Sequence, residues 1–151
     1  MRRIGRSCGC GGVIGIVAML SLLLVPRDVS AGGAFNVLVN AHSAPVSLAP
    51  ADLKRLVVGG TKVWPSGAVV QLGIIPSDEP ETRYLASLLE TTPRELLSLI
   101  QQQVFKGDVR RPVVLRSSND CAAFASANPG ALCVASSGVP LPEAVRVVPI
   151  Q

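Results

Sequence analysis

Val69-Val70-Gln71-Leu72-Gly73-Ile74-Ile75, followed by Pro76-Ser77-Asp78-Glu79-Pro80-Glu81-Thr82-Arg83-Tyr84-Leu85, decides the fold class. The first part is nearly continuous in apolar residues. Such a run suits a strand covered on both faces, as in a parallel or mixed α/β sheet. Ser77-Asp78-Glu79-Pro80 then opens a helix that runs to about Glu90, with Ser77 or Asp78 as its N-cap. Leu85, Leu88 and Leu89 give that helix one apolar stripe.

The same alternation extends in both directions. Downstream, Thr92-Pro93-Arg94-Glu95 is a capping box with proline at the first helical position. Leu96, Leu97, Ile100 and Val104 form the inner face of that helix. Val113 to Leu115 reads as a short strand. A helix begins at Ser118, with Cys121, Phe124 and Ala125 on one face; Asn128-Pro129-Gly130 ends it. Strands are expected over Ala131 to Ala135 and Val145 to Ile150. Upstream, Phe35 to Asn40 reads as a buried strand. Pro50 opens a helix with Leu53, Leu56 and Val57 on one face, and Gly59-Gly60 stops it. Lys62 to Gly67 is a turn region. The expected class is α/β, a mixed sheet flanked by helices.

The chain has 151 residues, enough for one domain. Apolar content of 48% argues for a packed core rather than disorder. His42 is the only histidine, and with Cys121 and Cys133 it leaves residues 32–151 one ligand short of a four-ligand zinc cluster. The five aromatics are scattered, which excludes a stacking platform for single-stranded nucleic acid. Residues 1–31 read as a secretory signal peptide. Arg2, Arg3 and Arg6 form a charged start, Val13 to Val25 is apolar apart from Gly15 and Ser21, and Val29-Ser30-Ala31 offers a small-residue cleavage site. The apolar run falls short of the roughly 20 residues a membrane span needs. An uncleaved N-terminal anchor is the alternative. Arg2, Arg3, Arg6, Arg27 and Asp28 lie in this segment, so its removal lowers the net charge from +4 to +1. No nucleic-acid partner is then expected. Residues 32–151 form the expected mature domain, periplasmic or secreted, with no membrane span.

Three stretches, in order, carry a family resemblance. Leu53-Lys54-Arg55-Leu56 through Gly59-Gly60-Thr61-Lys62-Val63-Trp64 resembles a helix, Gly-Lys and Trp-containing turn of phosphate ABC-transporter substrate-binding proteins. Val69-Val70-Gln71 through Thr82-Arg83-Tyr84-Leu85 looks like that family's strand, ligand loop and helix. Cys121-Ala122-Ala123-Phe124 through Asn128-Pro129-Gly130-Ala131-Leu132-Cys133-Val134 is similar to its helix and Pro-Gly strand. The resemblance implies a type II periplasmic-binding-protein-like fold. A full member has two lobes with ligand between them; this chain matches a single lobe. It further implies a small oxyanion as ligand, an ABC permease or other envelope protein as partner, no cofactor and no catalysis.

The implied ligand residues are Ser77, Asp78 and Thr82. The family's loop reads Arg-Ser/Ala-Asp-Gly-Ser-Gly-Thr, whose backbone N–H groups cradle phosphate at a helix N-terminus. Here Asp78 and Thr82 match, Pro76 stands in place of the arginine, and Glu79, Pro80 and Glu81 replace Gly-Ser-Gly. Pro80 has no N–H to donate. Each of the three nearby carboxylates repels an anion by roughly 1 kcal/mol at water-like dielectric. The same residues also make an ordinary helix start. Two functions follow: solute binding for an importer, or a lobe that has lost its ligand and serves protein–protein contact.

Three other features bear on chemistry. His42 beside Ser43, with Ser47 nearby, is the one arrangement of base and hydroxyl in the sequence, and it lacks a nucleophile elbow. Arg110-Arg111 reads as a solvated loop or a contact for an acidic partner. Cys121 and Cys133 are the only cysteines after residue 31, and a disulfide between them is expected in an oxidising compartment.

Overall fold

The computed structural model describes residues 34–76 and 78–151. The signal segment and Ser77 lie outside the described residues. Among the described residues nine elements follow in order: β1 (Phe35–Asn40), α1 (Pro50–Val58), β2 (Gln71–Ile74), α2 (Pro80–Leu88), α3 (Pro93–Lys106), β3 (Val113–Val114), α4 (Ser118–Ala127), β4 (Ala131–Ser136) and β5 (Val145–Val148). The strands form one mixed sheet in the order β3-β2-β4-β1-β5. β2 runs parallel to β3 and β4, whereas β1 is antiparallel to β4 and β5.

Side-chain alternation along the strands builds two cores. Val37 and Val39 of β1 and Leu132 and Val134 of β4 face α1, α2 and α3, meeting Leu53, Leu85 and Leu96. Leu38 and the small Ala131, Cys133 and Ala135 face the other way, toward α4 and its Cys121, Ala122, Phe124 and Ala125. Small residues on both sides of that contact let the lone helix lie close to the sheet. The expectation of a sheet covered on both faces is met.

Local chemistry sets the helix ends. α1 starts at Pro50 and stops at Gly59, whose φ of 88° places it in the left-handed region that glycine tolerates. α3 carries the expected capping box: Thr92 accepts from the Glu95 backbone N–H, and Glu95 accepts from the Thr92 backbone N–H. α2 departs from expectation at both ends. Its N-cap is Glu79, with no side-chain cap bond, in place of Ser77 or Asp78. Pro80 takes the first helical position, where its fixed φ suits a helix and its missing N–H costs nothing. The helix ends at Leu88, and Glu90 turns to a φ of 55° to lead into α3.

Three strands are shorter than the sequence suggests. Val69 lies outside β2 and bridges antiparallel to Val63. Leu115 lies beyond β3, though its N–H still donates to Ile74 at 2.8 Å. Ile150 lies beyond β5 and bridges Leu48.

One tight contact fixes the middle of the fold. The Gly130 carbonyl accepts from Trp64 Nε1 at 3.0 Å and from the Gln71 N–H at 2.8 Å. A Cβ on Gly130 would lie 1.7 Å from the Val69 carbonyl oxygen, so only glycine fits. Trp64 is buried as a packed turn residue.

Candidate functional site

The candidate loop joins β2 to α2, at the end of a parallel strand where α/β sheets usually place ligands. Pro76, Asp78, Glu79 and Pro80 are exposed, whereas Thr82 is turned to internal use. Thr82 is 3% exposed, and its hydroxyl donates to the Ile75 carbonyl at 2.6 Å. This bond pins the first turn of α2 to the end of β2 and takes the hydroxyl's proton away from any ligand. Asp78 is exposed, and its backbone carbonyl accepts from Arg83 Nη2 at 2.6 Å. The Glu79 N–H donates to the Pro76 carbonyl at 3.0 Å and closes the turn. The structure thus places Thr82 inward and Asp78 outward, so these two site candidates do not converge.

Glu81, read in the sequence only as one of three carboxylates, links this loop to α4. Glu81 Oε1 accepts from the Ser118 hydroxyl at 2.5 Å. The Ser118 oxygen in turn accepts from the Ser136 N–H at 2.9 Å. Ser118 is the first residue of α4, whose N-cap Ser117 accepts from the Asp120 N–H at 3.2 Å. Asp120 Oδ2 also accepts from the Arg116 N–H at 3.1 Å. The chain therefore supplies its own carboxylates, Glu81 and Asp120, at the helix end where partial positive charge favours an anion. A Ser/Thr/Glu reading by residue type shows no such pairing, because the partners are 37 residues apart.

Beside the loop, a groove of about 620 Å³ lies between α2 and α3. Asp78, Arg83, Thr92, Arg94, Leu97 and Gln101 are among its lining. Capping engages Thr92 of this lining: Glu95 Oε2 accepts from the Thr91 and Thr92 hydroxyls at 3.1 and 3.0 Å. Hydrogen bonds from the Thr92 backbone and hydroxyl, then from Thr91, hold the Glu95 carboxyl below the usual carboxylate range. A second cleft of about 220 Å³ is bordered by Leu56, Lys62, Val70, Asp108, Val109 and Arg110. Lys62 and Asp108 pair across it at 3.1 Å.

The other candidates separate in the fold. His42 is exposed, and among the described residues no hydrogen bond joins its ring to Ser43 or Ser47. Its backbone N–H donates to Asn40 Oδ1 at 3.0 Å. Asn40 is a buried polar hub that sequence reasoning passed over as a strand end. Its Nδ2 donates to the Ala125 carbonyl at 2.9 Å, tying β1 to the end of α4. Arg110 and Arg111 are exposed. Cys121 and Cys133 are both buried and both free thiols, in contact but not bridged.

Among the described residues no helix is long and apolar enough to cross a membrane. No protein-family model matches the sequence, and no curated protein matches it. Among solved structures, the crystal structure of an ABC-type phosphate transport receptor from Vibrio cholerae is similar, with a TM-score of 0.51 and 14% identity. The similarity covers 76% of this chain and 45% of the receptor, so the chain spans less than half of that protein. At this identity the likeness speaks to fold: the chain has an α/β, periplasmic-binding-protein-like architecture.

Proposed function

We propose that this chain is an exported, single binding-protein-like lobe that acts through contact with another envelope protein and has given up oxyanion binding. One observation carries the reading: Thr82, the candidate ligand hydroxyl, is bonded within the chain, and a carboxylate of the chain itself stands at the start of α4. Thr82 is spent on Ile75, and the start of α4 is served by Glu81 through Ser118. Exposed apolar side chains support a contact role. Val114 of the edge strand β3 is 69% exposed and Phe105 at the end of α3 is 89% exposed. The three-part N-terminal pattern supports export, and no catalytic role is proposed.

Solute binding beside an ABC importer is the second reading. The likeness to a phosphate transport receptor and the two arginines of the α2–α3 groove favour it. Titration calorimetry of the purified protein with inorganic phosphate at low salt separates the two. The interaction reading expects a dissociation constant no tighter than about 1 mM. Micromolar binding supports the importer reading. For export, mass spectrometry of the mature protein is expected to find an N-terminus near Gly32; an intact Met1 species in the cytoplasm refutes it.

A further inference from the structure

The two thiols that no ligand reading uses sit together in the smaller core. Cys121 and Cys133 are each 0% exposed. Cys121 Sγ donates to the Val134 carbonyl at 3.2 Å, and Cys133 Sγ donates to the Cys121 carbonyl at 3.4 Å. Each sulfur thus reaches into the other's element. The core around them combines the small Ala122, Ala125, Ala131 and Ala135 with Leu38 and Phe124.

We propose that Cys121 and Cys133 form a redox-closed staple joining α4 to β4, and that it closes only in chains whose α4 is not yet docked. This inference is independent of the reading of the ligand loop. Thiol–disulfide exchange needs a thiolate that an oxidant can reach. In the folded chain neither sulfur is accessible. The Cys133 thiol is also pushed strongly up by its hydrogen bond to Cys121 and by burial. Before docking, both are ordinary thiols.

The chemistry requires an external disulfide, R–S–S–R, of a small molecule or a protein. One cysteine thiolate attacks a sulfur of that disulfide, forms a mixed disulfide and releases R–S⁻. The second cysteine thiolate attacks the cysteine sulfur of the mixed disulfide and releases the other R–S⁻. The protons lost by the two cysteines balance those gained by the two leaving thiolates. The pair is oxidised by two electrons and R–S–S–R is reduced to two R–SH. Docking of α4 then buries the finished bridge.

Trypsin cuts on both sides of the pair, at Arg116 and Arg146, so one peptide, Ser117–Arg146, holds both cysteines. The full chain, reduced and denatured, is refolded in a buffer of oxidised and reduced glutathione, quenched with iodoacetamide and digested. The expected peptide is lighter by two hydrogens and carries no alkyl group. Fully folded, reduced protein placed in the same buffer is expected to oxidise on the order of 100-fold more slowly, at the rate set by local opening. Two alkylated cysteines after refolding overturn the staple. Equal oxidation rates of folded and unfolded chains overturn the dependence on docking.

Discussion

Glu81 and Ser118 join the starts of α2 and α4 through a 2.5 Å hydrogen bond, and the Ser118 oxygen relays it to the Ser136 N–H. α2 follows β2 and α4 follows β3, and a helix start leaves backbone N–H groups without intrahelical partners. A carboxylate held there does the electrostatic work that an anionic ligand does elsewhere.

A double-mutant cycle with Glu81→Gln and Ser118→Ala tests that link. Each single change is expected to destabilise the protein. The two effects are expected to fall short of additivity by about 1 kcal/mol in urea titrations, as for a partly buried, charge-assisted hydrogen bond. Strict additivity means that the bond contributes nothing.

Thr82→Val keeps the side chain's shape and removes its hydroxyl. The Ile75 carbonyl then loses its 2.6 Å donor in a buried setting. A loss of about 1–3 kcal/mol is expected, with Thr82→Ser close to wild type. Phosphate titration is expected to be the same for all three proteins, because this hydroxyl faces the strand. Weakened phosphate binding in Thr82→Val shows that it faces a ligand.

Gly130→Ala places a methyl where the Val69 carbonyl oxygen already lies, 1.7 Å away. The backbone must move, disturbing the two hydrogen bonds that the Gly130 carbonyl accepts. A loss of at least about 3 kcal/mol is expected. Quenched or shifted Trp64 fluorescence provides a second readout.

Glu95→Ala tests the α3 cap through pH. The folded-state pKa of Glu95 is lowered, so its stabilisation is present above the ordinary carboxylate value. It is lost as pH falls through the lower folded value. The urea midpoints of wild type and Glu95→Ala are therefore expected to differ at pH 7 and to converge in acid below that range. A gap that stays constant down to pH 2 rules out the charged carboxyl as its source.

The start of α3 is legible in the sequence because its determinants are local: Thr92 and Glu95 are three residues apart, and their side chains bond only each other and Thr91. The stop at Gly59 and the doubly covered β2 are legible for similar reasons, from backbone permissiveness and apolar continuity. The start of α2 is not. Three residues, Ser77, Asp78 and Glu79, all suit the cap by type or position, and Pro80 decides among them by fixing its own φ. The inward turn of Thr82 is equally hidden, since it depends on where β2 leaves the Ile75 carbonyl. Asn40 and Glu81 act across 85 and 37 residues, distances at which periodicity carries no signal.

The position of β1 has a kinetic consequence. The earliest of the described strands lies between the last two, β4 and β5, pairing Leu38 with both Cys133 and Val147. Its partners emerge about a hundred residues later, so loop closure is long and the sheet's centre assembles late. A nascent chain lacking β4 has no place to lodge Val37, Leu38 and Val39. The sheet therefore cannot close until β4 and β5 have been made, and the strands made before them wait in an open chain.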